Sequence, residues 1–237
     1  MAKSKNTAAA KRQYDKSSQY SPEDAVALVR SMAFAKFDES VDAVFNLGID
    51  ARKADQLVRG TVSLPHGTGK EIRVAAFVGG ELIAEAEEAG ADIVGGKELA
   101  EEISGGGELN FDIAIAAPDM MPHVGKLGSI LGPRGLMPNP KSGTVTKDVG
   151  KAIAEFKAGR VEYRNDRYGN VHVPIGKVSF EPEQLMGNLI ALSDEILRAR
   201  PAAAKGRFVR KVTISSTMGP GVNIDTGQLE DQVKALR

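Results

Sequence analysis

The residues with most chemistry to offer are basic side chains set among glycine and proline. Met121 to Gly143 reads MPHVGKLGSILGPRGLMPNPKSG, and Lys126, Arg134 and Lys141 stand in it with no acid between them. Pro122, Pro133, Pro138 and Pro140 fix the backbone and remove N–H donors. Gly125, Gly128, Gly132, Gly135 and Gly143 permit tight turns and close approach by another molecule. A bland loop would be polar throughout, whereas this one also holds Val124, Leu127, Ile130, Leu131, Leu136 and Met137. The pattern predicts a segment of fixed shape that binds a polyanion, and it is too rich in Gly, Pro and basic residues for a packed core element.

Three further groups suit the same chemistry. In Thr213–Val222, TISSTMGPGV, the Gly-Pro-Gly alone reads as a strand-ending turn. Thr217 and Met218 change that reading, because a hydroxyl beside a flexible apolar side chain suits a ribose 2′-OH and a sugar or base face. Gly219 lets the backbone itself approach the sugar-phosphate chain. Arg164, Asp166, Arg167 and His172 lie in a hairpin expected over residues 161–173. Each alone reads as a solvated side chain, but together they would flank the same sheet edge as the Thr217-Met218-Gly219 motif. Asp166 cannot bind phosphate, yet its carboxylate can accept from a 2′-OH or a base amine. The run Arg198, Arg200, Lys205, Arg207, Arg210, Lys211 contains no acid. It is either a solvated loop or a source of phosphate contacts that position RNA without reading its sequence.

Catalysis finds little support. The stretch HGTGKE invites a phosphate-loop reading, but that motif needs Gly where Leu64 stands and Ser or Thr where Glu71 stands. It must also open a helix, and here a strand is expected to follow. His66, His123 and His172 have no metal-ligand spacing, and no GxSxG, HExxH or carboxylate pair stands out. No cofactor or metal is expected. Cysteine is absent, which excludes disulfides and Cys-ligated zinc and suits a reducing cytoplasm. No apolar run approaches a membrane span. The N-terminal MAKSKNTAAAKRQYDK lacks the apolar core of a secretory signal. An organelle transit peptide is the rival reading there, but arginine is sparse, and a solvated basic tail is expected.

The formal net charge is zero, with 31 basic and 31 acidic side chains, but its distribution is uneven. Residues 1–66 carry +2, residues 159–237 carry +3, and residues 67–158 carry −5. Within the middle, 71–119 carry −10 and 120–158 carry +4. Two basic ends thus surround an acidic module that holds one basic stretch.

The elements that must position these residues follow from periodicity. Ser21-Pro22-Glu23-Asp24 opens a helix, with Ser as N-cap, Pro at the first helical position and acids in the first turn. Residues 41–49 alternate as a half-buried strand, 61–64 form a short strand, 181–198 an amphipathic helix and 209–215 a strand. From Ile72 the order is β-α-β-α-β, which predicts a small parallel sheet covered by helices, and a helix is expected over 146–156. Sequence alone permits three domains in a row.

The segment GKLGSILGPRGLMPNPKSGT resembles the loop of the family of bacterial large-subunit ribosomal protein L one, the mobile-stalk protein. TISSTMGPGV resembles that family's signature near the C-terminus, and the likeness runs from about Ser21 to Ile224. The resemblance implies an α/β chain of two domains. Residues 1–66 plus 159–237 would form a discontinuous α+β RNA-binding domain, and 67–158 an inserted Rossmann-like domain. Hinges would lie near 67–70 and 157–160, at Gly67, Gly69 and Gly159. It implies binding to 23S rRNA of the large subunit, help in releasing deacylated tRNA from the exit site, and repression of its own operon through its mRNA leader. A cytoplasmic, ribosome-associated protein, monomeric when free and without membrane contact, is expected. Thr217, Met218 and Gly219 match the family's RNA-contacting motif. Lys36, Phe37 and Ser40 lie in a segment resembling its other RNA-facing block. Lys126, Arg134, Lys141, Lys205, Arg207 and Arg210 would supply secondary RNA contacts. The rival readings are a nucleotide-binding enzyme built on the middle module and a free-standing RNA-binding regulator with no ribosomal role.

Overall fold

A computed structural model describes residues 5–80 and 82–235. The helices are α1 (Lys5–Ala10), α2 (Pro22–Ser31), α3 (Leu82–Glu88), α4 (Lys97–Ser104), α5 (Met121–Val124), α6 (Gly128–Leu131), α7 (Val149–Lys157), α8 (Pro182–Arg198) and α9 (Thr226–Ala235). The strands are β1 (Ser40–Leu47), β2 (Arg59–Ser63), β3 (Val74–Phe77), β4 (Ile93–Gly95), β5 (Ile113–Ala116), β6 (Arg160–Arg164), β7 (Asn170–Lys177), β8 (Val209–Ser216) and β9 (Val222–Ile224). Two compact units result. One takes the chain up to Gly69 and again from Val161, and the other is Lys70–Arg160. Among the described residues no helix is long and apolar enough to cross a membrane.

The first unit is built on a four-stranded antiparallel sheet in the order β7-β1-β8-β9. Strict alternation along β1 sends Val41, Ala43, Phe45 and Leu47 to one face and Ser40, Asp42, Val44 and Asn46 to the other. The buried set packs with Val26 and Val29 of α2, Leu185, Leu189, Leu192 and Ile196 of α8, and Leu229 of α9. Ser21 caps α2 as expected, its hydroxyl accepting from the Asp24 N–H at 3.1 Å. β2 and β6 form a separate two-stranded sheet. The N-terminal stretch departs from the expected solvated tail: Ala10 is buried in this core and Tyr14 packs against it. Asn223 reinforces the docking, its side-chain amide donating to the Lys16 carbonyl at 2.9 Å. Residues 1–4 of that expected tail lie outside the described residues.

The second unit is a parallel sheet in the order β4-β3-β5. Val74, Ala76 and Val78 face α3 and α7 through Ala86, Val149, Ile153 and Phe156. Ala75 and Phe77 face the other way, toward Ala100, Ile103, Val124, Leu127 and Leu131. Burial on both faces is why this strand reads as a continuous apolar run.

Two polar side chains at core positions hold the first unit where its site will form. Asn188, fully buried on α8, accepts from the His66 N–H at 3.0 Å and donates to the carbonyls of Gly67 (2.8 Å) and Ile175 (2.7 Å). Glu39 is only 1% exposed. It accepts from the N–H groups of Phe34 (3.0 Å), Ala35 (2.8 Å) and Met218 (2.9 Å), and from the Ser216 hydroxyl. Burial alone would push its carboxyl up, but the four donors outweigh that and hold it below the usual carboxylate range. A carboxylate with a depressed folded pKa stabilises the fold above its unfolded value, and that contribution is lost as pH falls through the folded value.

Two outcomes follow. Glu39→Gln turns an amide N–H₂ toward N–H and O–H donors, and urea unfolding at neutral pH should show a loss of about 1–3 kcal/mol. The difference from wild type should shrink as pH is lowered through the acid range, where the native carboxylate is itself protonated. Asn188→Leu leaves three backbone groups without their partner, and should cost roughly 2–4 kcal/mol in the same measurement.

Candidate nucleic-acid interface

Thr217 and Met218 emerge at the C-terminal end of β8, beside the start of β1, where Val41 pairs with Ser216. The Thr217 N–H donates to the Ser40 carbonyl at 3.0 Å, and the Ser40 N–H donates to the Thr217 hydroxyl at 3.0 Å. The hydroxyl proton has the same Ser40 carbonyl as acceptor at 3.3 Å, a long bond to an oxygen already in use. Thr217 is therefore both a strand clasp and an exposed hydroxyl whose proton an outside oxygen can take. Gly219 is required internally: a Cβ there would lie 2.4 Å from the Ser216 hydroxyl oxygen, to which the Gly219 N–H also donates.

Glu39 draws the two halves of this end together. Its carboxylate binds the backbone of residues 34–35 on one side and of Met218 on the other. The short loop between, with Lys36 and Phe37, is thereby held out into solvent. Phe37 is 57% exposed and Met218 52% exposed. Two apolar side chains, a cation and a hydroxyl thus stand around one buried carboxylate. Glu39 is not among the residues that spacing and type mark for chemistry, although one signal was there. It continues the buried phase of Val41, Ala43, Phe45 and Leu47 by one further step, which places a carboxylate at a core position.

Against expectation, the hairpin residues do not flank the edge where Thr217 stands but lie at the other end of the same sheet, because antiparallel pairing sets the start of β7 against the end of β1, away from Ser40. Ser40 pairs with Lys177, but Asn46 pairs with Asn170. Six strand steps separate the two ends, roughly 20 Å at about 3.3 Å per residue. Arg164, Arg167 and His172 are exposed there. Asp166 works first within the protein. It accepts from the N–H groups of Tyr168 and Asn170, both at 2.8 Å, and from the Asn170 amide at 3.1 Å. Burial raises its carboxyl, but these donors and His172 more than offset that and leave it low. The His172 imidazole Nε2 stands 3.8 Å from its carboxylate.

The basic run divides. Arg198 pairs with Asp194, Arg200 donates to the carbonyls of Ala204 and Gly206, and Arg207 donates to the Thr226 hydroxyl. These serve the fold, which weakens the reading of Arg207 as a phosphate contact. Lys205, Arg210 and Lys211 are exposed. By register Lys211 lies opposite Asn46, at the hairpin end.

In the second unit, Val124, Leu127 and Leu131 are buried, so part of the Gly- and Pro-rich segment does enter a core, against expectation. Their spacing turns Gly125 and Gly128 outward, where an added Cβ would meet nothing within 4 Å, as also at Gly135. Packing does not demand glycine at these places, although a φ of 73° does favour it at Gly135. Lys126, Arg134 and Lys141 are exposed among them. At the carboxyl ends of β3 and β4, where a doubly wound sheet takes a ligand, Met120 lies close by. Its sulfur would lie 3.8 Å from a Cβ at Gly79, and its methyl 3.7 Å from one at Gly96. Gly67 (φ 65°) and Gly69 (φ 69°) belong to the first unit and Gly159 (φ 110°) to the second, all in the left-handed region. A Cβ at Gly69 would also meet Phe180 at 2.8 Å.

Comparison with known proteins accords with the resemblance. The model of the Ribosomal protein L1p/L10e family matches residues 29–220. The chain is 58% identical over 225 residues to the large ribosomal subunit protein uL1 of Cutibacterium acnes, covering 95% of this chain and 97% of that protein. It is 51% identical to the protein of the same name from Thermobifida fusca, over 99% of this chain and all of that one. To that from Gemmatimonas aurantiaca it is 59% identical, over 87% and 90%. These relatives are named as ribosomal proteins and not as enzymes, in keeping with the non-enzymatic reading. With a match of this extent in both sequence and family pattern, the chain belongs to the Ribosomal protein L1p/L10e family.

Proposed function

We propose that this chain is a structural protein of the large ribosomal subunit, and that its first unit grips a structured piece of 23S rRNA. The observation that carries the RNA reading is the end of the sheet where Thr217, Met218, Lys36 and Phe37 surround the buried Glu39. A ribose hydroxyl can exchange with the long Thr217–Ser40 contact, while Met218 and Phe37 offer apolar surface to sugars or bases. Arg164, Arg167, Lys205, Arg210 and Lys211 add phosphate contacts that strengthen binding in a salt-dependent way. Ser40 acts through its backbone, and Asp166 by shaping the hairpin tip.

The inserted unit is the part that meets exit-site tRNA and helps the deacylated molecule leave. What supports this is the set of outward glycines at 125, 128 and 135 beside Lys126, Arg134 and Lys141, a bare backbone face with cations around it. Gly67, Gly69 and Gly159 serve as the hinge between the two units. The buried bonds of Asn188 to His66 and Gly67 hold one crossing up to that point. The same RNA-binding surface, in the free monomer, represses its own operon by taking an mRNA leader that imitates the ribosomal site. The protein works in the cytoplasm, bound to ribosomes.

Co-sedimentation with large subunits through a high-salt wash tests the assignment, and release under that wash would favour a free-standing regulator. Thr217→Val should weaken binding to an rRNA fragment by about 1–3 kcal/mol, since both the outside oxygen and the Ser40 N–H lose a partner. Lys205→Ala should weaken it less and flatten the dependence of affinity on salt. Equal, small effects with parallel salt slopes would reduce the motif to a turn. A chain in which a short Gly/Ser linker replaces residues 70–160 should keep rRNA affinity within roughly tenfold of the intact protein, about 1.4 kcal/mol. Strong specific binding by the insert alone would reverse the assignment of the units.

A further inference from the structure

Tyr168 stands at the tip of the hairpin between β6 and β7, and it is 68% exposed, more than any other large hydrophobic side chain among the described residues. It contributes nothing to either core. An aromatic ring left in water at a turn, where Gly, Asn and Asp are the usual residues, asks for another explanation.

The turn beneath it is rigid. The Asp166 carboxylate accepts from the Tyr168 and Asn170 N–H groups, and the Asp166 N–H donates to the Asn170 carbonyl at 2.7 Å. Gly169, at φ 80°, presses so closely on β1 that a Cβ there would come within 3.1 Å of the Leu47 carbonyl. The Leu47 N–H in turn donates to the Gly169 carbonyl at 2.8 Å. One face of the ring is already taken. The Arg167 guanidinium lies over it, with its carbon 4.9 Å from the ring centroid. The surroundings are basic, since exposed Lys211 sits at this end of the sheet by register.

A preorganised ring, backed by a cation and set among basic side chains, is the chemistry by which proteins hold an unstacked nucleobase. We propose that Arg167 and Tyr168 form a stacking platform for an unpaired base, roughly 20 Å along the sheet from the Thr217-Met218-Gly219 turn. This rests on the RNA reading above and sharpens it. The RNA must present a splayed base at that separation from the segment that the turn contacts. The guanidinium reinforces the stack from behind and can reach the flanking phosphate. A protein partner would also use an exposed tyrosine, but the neighbouring cations favour a polyanion.

The chain has no tryptophan, so Tyr168→Trp in the full-length protein places a single indole on the platform. The probe is the shortest in-vitro transcribed fragment of large-subunit rRNA that the wild-type chain binds. Titration with it should quench the indole emission, with saturation at the concentration where binding saturates. Tyr168→Ala should weaken binding by roughly 5- to 100-fold, whereas Tyr168→Phe should stay within about threefold of wild type. Unchanged indole emission with wild-type affinity for Tyr168→Ala, while Thr217→Val still binds weakly, overturns the platform and leaves the RNA reading standing. Equal weakening by Ala, Phe and Trp, with lowered thermal stability, also overturns it and makes Tyr168 a fold residue. Failure of the wild-type chain to bind any fragment overturns both readings together.

Discussion

The candidate site depends on one ionised carboxylate placed where a core side chain should be. An unpaired carboxylate in that position would be costly to bury. Glu39 is tolerated because four donors converge on it, two from residues 34–35 and two from residues 216 and 218. The bond from Met218 joins positions 179 residues apart in the chain. The start of β1 and the end of β8 are thereby fixed against each other more tightly than strand pairing alone would do. Everything presented outward at that end, the Thr217 hydroxyl, the Met218 thioether and the Phe37 ring, takes its position from this internal bond set.

Asp166 repeats the device at the far end of the sheet. It too lies below its ordinary range, held there by N–H groups of a turn, and it too leaves an aromatic side chain standing outward. A carboxylate facing RNA would repel phosphate. A carboxylate whose lone pairs are occupied by backbone donors acts as a hub for a loop, and its charge is largely met within the protein. These two acids are thus best understood as scaffolding, with contact left to hydroxyl, sulfur, aromatic and cationic groups. Arg200 and Arg207 show the converse: cations that sequence places in a basic run are bound to carbonyl and hydroxyl oxygens of their own fold.

The inserted unit follows a different logic. Its sheet is parallel and buried on both faces, so its strands carry no outward row of side chains to use. At the place where such sheets usually bind ligands, Met120 lies beside Gly79 and Gly96. What remains available is the segment after β5, where buried Val124, Leu127 and Leu131 anchor one side and glycines leave the other bare. That combination explains why the segment mixes leucine with glycine and lysine.

Local chemistry was readable from the chain alone. The cap at Ser21, the alternation of β1, the long helix after Glu181 and the β-α-β-α-β order of the middle each depend on neighbours in sequence, and residue types at short spacing suffice to reveal them. The Thr-Met-Gly motif and the basic segment were legible for the same reason, as unusual residues packed into a few positions. What tertiary structure decided is which of those residues are already in use. Arg207 binds Thr226, Gly219 is required by Ser216, and Asp166 closes its own turn. It also decided that the hairpin and the Thr-Met-Gly turn occupy opposite ends of one sheet, because antiparallel pairing of β1 with β7 sets Ser40 against Lys177 and Asn46 against Asn170. Hydrogen bonds between residues far apart in the chain leave no trace in local spacing. Glu39 is the partial exception, since its phase along β1 marks it as buried, but only the fold supplies the donors that make a buried carboxylate possible.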